Sequence, residues 1–282
     1  MMALAALLGA DVHFHSWRYF GELKKLQPRR ASPLFLEALI ATCVVGRIRP
    51  SRTVRSMKEL RALRDAAGEQ AQFVRFETQL KAFLGANALS NHELGRQTFS
   101  GLDHTGIWAQ VAAHITALRG LGYEVFLNSG TLLGVTRDKK LIDHDDDIDL
   151  AVILKAHGPG AAAAEWRQLK QTLSSAGLLD EQNTTDPAIY KLKTHEGCEI
   201  DLFPAWSDGK RMFVFPHTFG ELADEDVLPL GRCSVSGQPV PALPEKMLGV
   251  NYGASWRKPD PYFKFNWVRA RRSFAEFLEA LK

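Results

Sequence analysis

The amino-acid sequence predicts an α/β fold, in the broad sense that includes α+β, preceded by a mostly helical region. Residues 101–282 alternate helix-like segments with short runs typical of strands. Residues 1–100 instead carry apolar side chains at helical spacing. With 282 residues, 45% of them hydrophobic, the chain is long enough to bury a full core. We therefore predict a helical region at 1–100 and a catalytic domain at 101–282.

The composition excludes several classes of protein. The net charge of +3 is too small to indicate a nucleic-acid-binding protein. The three cysteines, Cys43, Cys198 and Cys233, are widely spaced and form no C-x-x-C pair, which favours a reduced cytoplasmic protein without thiolate zinc. Residues 1–10 are apolar but lack a basic flank, so we expect no signal peptide.

Three helices are predicted in the N-terminal region. The apolar run 33–45 is too short to span a bilayer and contains Glu37, so it predicts a buried helix. Ser56 and Glu59 have the spacing of a capping box and predict the start of a second helix. Phenylalanine and leucine at helical spacing predict a third helix over 69–84, and residues 90–93 form another capping box.

The N-terminal region also contains a basic stretch, residues 47–64, with seven lysines and arginines. A solvated helix face is one interpretation. The alternative is docking to an anionic membrane surface or to a charged acceptor polymer, which would place the protein at the inner face of the membrane.

The elements of the second region follow an α/β order. Helices are predicted over 106–120, 161–176 and 266–281, and strands over 123–127, 148–154, 189–194, 198–203 and 212–215. A His-Glu-Gly turn between the third and fourth strands predicts a hairpin. Residues 216–261 are rich in proline and glycine and predict loops and short helices.

A run of aspartates stands between two of these strands. Five aspartates occur within residues 143–149, shortly after the Gly/Ser/Thr-rich turn 128–137. Such a run is often a solvated loop or a capping turn. Here the last aspartates enter an apolar, strand-like segment, which favours a divalent-cation site for phosphate chemistry.

Strand alternation ranks these aspartates. Asp147 and Asp149 lie on one side of a strand, since side chains alternate with period two. Asp145 joins them if the extended chain reaches that far. Asp146 is expected to point away and Asp143 to be secondary, and His144 is interpreted as a loop histidine.

Other residues complete the candidate site. Asp201, in an apolar strand-like segment, either completes a metal or base site or is a buried acid paired with a lysine or arginine. Backbone N–H groups of Ser129, Gly130 and Thr131 could hold phosphate oxygens. Arg137 could contact a phosphate or form a salt bridge with Asp138 or Asp143.

These segments together resemble the nucleotidyltransferase fold of DNA polymerase β, and more closely the LicD family, which includes fukutin and fukutin-related protein. The resemblance rests on residues 129–137, 142–150 and 199–204, continues through 228–230, 237–241 and 251–259, and spans about 106–259. The chain departs from the family pattern at Thr136 and His144, and residues 1–100 lie outside it. The fold it implies is a mixed sheet flanked by helices.

The resemblance also implies a reaction. LicD-like phosphotransferases move phosphocholine or ribitol phosphate from a CDP-activated donor to a sugar hydroxyl of a glycan or glycolipid and release CMP. By resemblance, Mg²⁺ or Mn²⁺ would be held by Asp145, Asp147, Asp149 and Asp201. Tyr252 and Trp256 would either shape the donor pocket or serve packing. Nucleotidyl transfer from an NTP, and a non-catalytic binding module, remain the alternatives, although the complete set of acids argues against the module.

Overall fold

The computed structural model describes residues 6, 7, 9, 14–26, 31–85, 89, 94, 98–195, 198–260 and 262–282. The chain divides into two compact units. The first comprises Met1–Ser100 and Asp260–Lys264, and the second comprises Gly101–Pro259 and Phe265–Lys282.

The described part of the first unit is helical. Its helices are α1 (Ser16–Lys25), α2 (Pro33–Val45), α3 (Pro50–Ala66) and α4 (Gln70–Leu84). The predicted buried helix is α2, and the Ser32 hydroxyl caps it by accepting a hydrogen bond from the Phe35 amide. Leu36, Ile40 and Val44 of this helix lie in a core shared with α3 and α4. Among the described residues, no helix combines the length and apolar character needed to cross a membrane.

The start of α3 differs from the prediction. The helix begins at Pro50, with Arg49 as the N-cap residue, so Ser56 lies inside it and is buried. Proline is well suited to the first turn of a helix because its missing N–H group has no partner there in any case. The capping-box pattern at Ser56 was therefore wrong as a start signal. The pattern at 90–93 lies outside the described residues.

The basic stretch makes many contacts within its own unit. Arg64 donates to Glu37 at 2.6 Å and also contacts Glu69. Arg61 lies 3.9 Å from Glu77, and the guanidinium of Arg49 lies 5.4 Å from the centre of the Trp17 ring. Part of this charge therefore stabilises the helical unit, whereas Arg47 and Arg55 are exposed.

The second unit contains a mixed sheet, which confirms the predicted fold class. Its strand order is β1-β2-β4-β5-β6, with β3 paired to β4. β2 and β4 are parallel, and the other pairs, including the predicted β3–β4 hairpin, are antiparallel. The strands are β1 (Glu124–Leu127), β2 (Asp147–Ile153), β3 (Tyr190–Leu192), β4 (Glu199–Ser207), β5 (Arg211–Val214) and β6 (Thr218–Ala223), and a separate pair is β7 (Gly231–Arg232) and β8 (Pro239–Val240).

Helices surround this sheet. They are α5 (His104–Gly120), α6 (Ser129–Leu133), α7 (Pro159–Ser175), α8 (Asp224–Val227), α9 (Pro244–Tyr252), α10 (Trp267–Ser273) and α11 (Ala275–Ala280). A π-helical turn, Gly134–Asp138, extends α6. α7 contacts β4 and α11, and its Trp166 is fully buried and stacks on Tyr190 with 3.9 Å between ring centres.

Two predicted elements of this unit differ from the structure. The C-terminal helix is interrupted at Phe274, whose ψ of 20° departs from helical geometry. Strand β6 occupies part of the segment predicted as loops. Its Gly220 has a φ of +83°, and a bulge separates Met212 from Phe213 in the paired strand, so the sequence lacks regular alternation there.

A substitution at Leu150 measures how much the packing of β2 contributes to the stability of the sheet. The side chain is fully buried and lies between Leu127 of β1 and Leu202 of β4. Leu150→Ala is expected to lower the free energy of unfolding by about 2–5 kcal/mol, measured by urea denaturation. The control is Val268→Ala at a 72% exposed position, where a change within about 0.5 kcal/mol is expected. Equal effects of the two substitutions would contradict this assignment of the core.

Candidate active site

The candidate site begins where two parallel strands start. β2 begins at Asp147 and β4 at Glu199, and their register places Asp149 beside Asp201. Both of these carboxylates are buried, at 8% and 9% exposure. Parallel pairing thus brings together two acids that are 52 positions apart in the sequence (201 − 149).

A second group of acids precedes β2. One carboxylate oxygen each from Asp145, Asp146 and Asp147 lies within 4.8 Å of the others. Asp146 therefore does not point away as predicted. The strand begins only at Asp147, so the alternation rule does not apply to the residues before it. Asp143 is not part of this triad, and its carboxylate lies 2.6 Å from the Lys140 ammonium at a more exposed position.

The turn at the start of α6 holds Asp149. The Gly130 amide donates to Asp149 Oδ2 at 2.8 Å, and the Asp149 amide donates to the Thr131 hydroxyl at 2.8 Å. The Asn128 amide also donates to the Asp149 carbonyl at 2.9 Å. In this structure the turn predicted to hold phosphate oxygens therefore fixes a carboxylate.

Backbone geometry explains the small residues of this turn. A Cβ atom at Gly130 would lie 2.7 Å from Asp145 Oδ2 and 3.3 Å from Asp149 Oδ2, so a larger residue would displace the acids. Ser129 adopts a φ of +41°, which is uncommon for a residue other than glycine. Its hydroxyl oxygen lies 3.3 Å from His217 Nδ1. Strained backbone of this kind is frequently found at functional sites.

Asp201 has a charged partner. Lys191, directly opposite it on β3, donates to Asp201 Oδ1 at 2.8 Å and also contacts Glu199. Burial and the neighbouring Asp147 nevertheless raise the pKa of Asp201 to about 6. Asp201 is thus a buried acid paired with Lys191, and it also lies beside Asp149. Lys191 was missed because hairpin register cannot be read from this sequence.

The carboxylates repel one another. Burial raises the pKa of Asp145 and of Asp149 well above the usual value, and Asp147 is the next largest cause for both. Like charges in a poorly solvated place disfavour ionisation. Asp147 also raises the pKa of Asp201, so it lies at the electrostatic centre of the group.

Arg137 and Tyr252 border the acids. The Arg137 guanidinium forms two hydrogen bonds with Asp138, at 2.8 and 2.7 Å, which is the salt-bridge alternative raised by the sequence. The pKa of Tyr252 is raised by burial and then by Asp149, Asp145 and Asp147, while Arg137 opposes the shift. Both the acids and the guanidinium therefore act electrostatically on the tyrosine hydroxyl.

Trp256 has a different environment from Tyr252. It is 6% exposed, and the Arg257 guanidinium lies 4.4 Å from its ring centre. These contacts favour the packing interpretation for Trp256.

The donor set fits a hard divalent cation. Asp145, Asp146, Asp147, Asp149 and Asp201 supply carboxylate oxygens in a partly desolvated place, and their mutual repulsion would be relieved by positive charge. Mg²⁺ and Mn²⁺ favour such oxygen ligands. The acids can thus hold a metal ion, and the triad 145–147 is already close enough to do so.

Removing one charge is expected to stabilise the metal-free protein. Asp147→Asn should raise the free energy of unfolding by the order of 1 kcal/mol at pH 7.5 in EDTA, because one pKa unit corresponds to about 1.4 kcal/mol. The folded-state pKa of Asp201 is raised, so the folded protein gains protons as the pH falls and the repulsion is relieved below about pH 6. The advantage of Asp147→Asn should therefore shrink between pH 7.5 and pH 5.5.

Urea denaturation at the two pH values measures this difference. Asp143→Asn is the matched control, since it removes a nearby carboxylate that contacts Lys140 outside the cluster, and no gain in stability is expected. If Asp147→Asn were no more stable than the unmodified protein at pH 7.5, repulsion within the cluster would not be significant.

Comparison with known proteins agrees with this geometry. The model of the LicD/FKTN/FKRP nucleotidyltransferase domain matches residues 122–244, a shorter range than the resemblance from 106 to 259. No curated protein matches the chain. The matched range contains the turn at 128–137, all the acids of the cluster and Lys191. Residues 122–244 of this chain are therefore a nucleotidyltransferase domain of the LicD/FKTN/FKRP family, a family of phosphotransferase type.

Proposed function

We propose that the protein transfers a phospho-alcohol group from a CDP-activated donor to a hydroxyl of a glycan or glycolipid and releases CMP. The transferred group is phosphocholine, ribitol phosphate or glycerol phosphate, and the acceptor is a surface polysaccharide under synthesis or decoration. The observation that carries the proposal is the pairing of Asp149 with Asp201 beside Asp145–Asp147 in a domain of this family.

The acids are proposed to hold Mg²⁺ or Mn²⁺ through Asp145, Asp147, Asp149 and Asp201, with Asp146 near enough to join them. When bound, the cation would neutralise the diphosphate and stabilise the departing CMP. The turn that begins α6 then fixes the Asp149 carboxylate, which keeps this ligand in place without the cost of ordering a mobile loop.

Asp201 is proposed either to complete the metal site or to act as the base. Without a bound cation its pKa is about 6, so the carboxylate is ionised at neutral pH and can accept a proton. The acceptor hydroxyl would give its proton to the Asp201 carboxylate. At the same time, the oxygen of that hydroxyl would form a bond to the phosphorus of the phospho-alcohol group. The bond from that phosphorus to the bridging oxygen breaks, and CMP leaves with the oxygen. Lys191 orients Asp201 through the hydrogen bond to Oδ1.

Arg137 is proposed to contact the donor phosphates. Its guanidinium has a side-chain exposure of 11% and acts on the same tyrosine hydroxyl as the acids, so it lies at the edge of the cluster. A phosphate would compete with Asp138 for the two donated hydrogen bonds. The alternative reaction, nucleotidyl transfer from an NTP, would use the same residues and release pyrophosphate.

A donor panel distinguishes these reactions. The protein is incubated with CDP-choline, CDP-ribitol, CDP-glycerol and the four NTPs in the presence of Mg²⁺ and candidate glycan acceptors. CMP formation from one CDP donor is the expected result. Pyrophosphate from an NTP would support the alternative, and no product from any CDP donor would contradict the proposal. The buried free thiols at Cys43, Cys198 and Cys233 are compatible with a reaction in the cytoplasm.

Asp149→Asn tests the metal ligands. The substitution keeps the size of the side chain but removes the charge, so we expect Mn²⁺ affinity, measured by calorimetry, to fall at least tenfold and turnover to be lost. Asp143→Asn is the matched control and should retain both, because Asp143 contacts Lys140 away from the cluster. Metal-dependent turnover by Asp149→Asn would refute the assignment of this residue.

A further inference from the structure

Four aromatic side chains of the second unit form a connected set that begins beside the acids. They are His217, directly before β6, Tyr252, at the end of α9, Phe265, and Trp267, in α10. The ring centres of His217 and Phe265 are 4.3 Å apart, those of His217 and Tyr252 are 5.8 Å apart, and those of Phe265 and Trp267 are 5.2 Å apart. We call this set the aromatic face.

The aromatic face adjoins the candidate active site at two points. The His217 ring lies 3.3 Å from the Ser129 hydroxyl, next to the glycine that contacts Asp149. The Tyr252 hydroxyl is influenced by Asp145, Asp147 and Asp149. One end of the aromatic face is therefore beside the residues proposed to handle phosphate.

Partial exposure separates these rings from the core. His217, Tyr252 and Phe265 are half-buried, and Trp267 is 41% exposed. The rings of Phe215, Phe274 and Phe277 nearby are almost fully buried and already form an aromatic core. Burial lowers the pKa of His217 to about 3, so its ring is neutral at physiological pH.

We propose that the aromatic face binds the nucleobase of the donor nucleotide by stacking, with Phe265 as the central ring. The proposal rests on the proposed function, since it takes the phosphates to lie beside the acids. From there the rings succeed one another as Tyr252, His217, Phe265 and Trp267, toward a more exposed position. A nucleotide extends from phosphate through ribose to base in the same sense.

The chemistry favours a base over other occupants. Nucleobases stack on aromatic rings, and a neutral histidine can also bond to a polar base edge. A quaternary ammonium is bound best by the electron-rich faces of tryptophan and tyrosine. Here the two central rings are those of His217 and Phe265, and the tyrosine and the tryptophan stand at the two ends of the face.

Binding measurements isolate the base from the phosphate. CMP and ribose 5-phosphate share a sugar and a phosphate, and only CMP has a base. Titration calorimetry with Mg²⁺ is expected to show that the protein binds CMP at least tenfold more tightly than ribose 5-phosphate, within the range of a base–aromatic stacking contact. Phe265→Ala should weaken CMP binding about tenfold and leave ribose 5-phosphate unchanged, whereas Phe265→Tyr should keep the affinity for CMP.

Phe83→Ala is the matched control, at a 38% exposed phenylalanine of the first unit, and should bind both compounds like the unmodified protein. If Phe265→Ala fails to fold, Trp267→Ala at the exposed end of the face carries the same expectation. Equal affinity of the unmodified protein for both compounds would overturn the proposal. So would a loss of both affinities in Phe265→Ala, or unchanged CMP binding together with weaker phosphocholine binding, which would indicate a site for the alcohol group.

These outcomes are separable from failure of the proposed reaction. Stacking of the base does not require turnover, and it would also occur with an NTP donor. Release of pyrophosphate instead of CMP would thus refute the proposed function and leave the nucleobase site in place. Formation of CMP with no effect of Phe265→Ala on CMP binding would refute the nucleobase site alone.

Discussion

The site depends on the parallel pairing of β2 with β4. Their register sets Asp149 beside Asp201, and the burial of both strands leaves these carboxylates little access to water. Two other elements contact these acids. β3 carries the lysine that donates to Asp201, and the turn at the start of α6 donates to Asp149. A register shift of one residue between β2 and β4 would move one acid to the opposite face of the sheet, and the two carboxylates would no longer be neighbours.

Collecting acids in this way costs stability, and the structure offsets the cost differently for each one. Asp149 accepts a hydrogen bond from the Gly130 amide, and Asp201 accepts one from the Lys191 ammonium. Asp147, the largest charged influence on its neighbours, remains half-buried. A bound divalent cation would relieve the repulsion between carboxylates that these hydrogen bonds do not offset. A cation bound there would therefore also raise the free energy of unfolding.

The sequence was sufficient for the parts of the site that are local. Asp147 and Asp149 follow from strand alternation, and the turn before them follows from its glycine and small polar residues. Asp146 was misplaced because alternation was applied before the strand had begun. β6 was missed because Gly220 and the bulge opposite it remove the regular pattern. The fold class was predictable because long helices and buried strands leave strong periodic signals.

The non-local parts of the site could not be predicted, for a common physical reason. Lys191 reaches Asp201 only through the register of a hairpin, and His217 reaches Ser129 from 88 positions along the chain. Neither has a local signature, since a lysine in a strand and a histidine in a loop are ordinary. The turn at Ser129 illustrates the consequence: its composition suggested phosphate binding, yet its hydrogen bonds go to a carboxylate and a histidine. The acids determine which chemistry is available. Lys191 and His217, the partners from distant parts of the chain, determine how Asp201 is held and which surface a donor would contact.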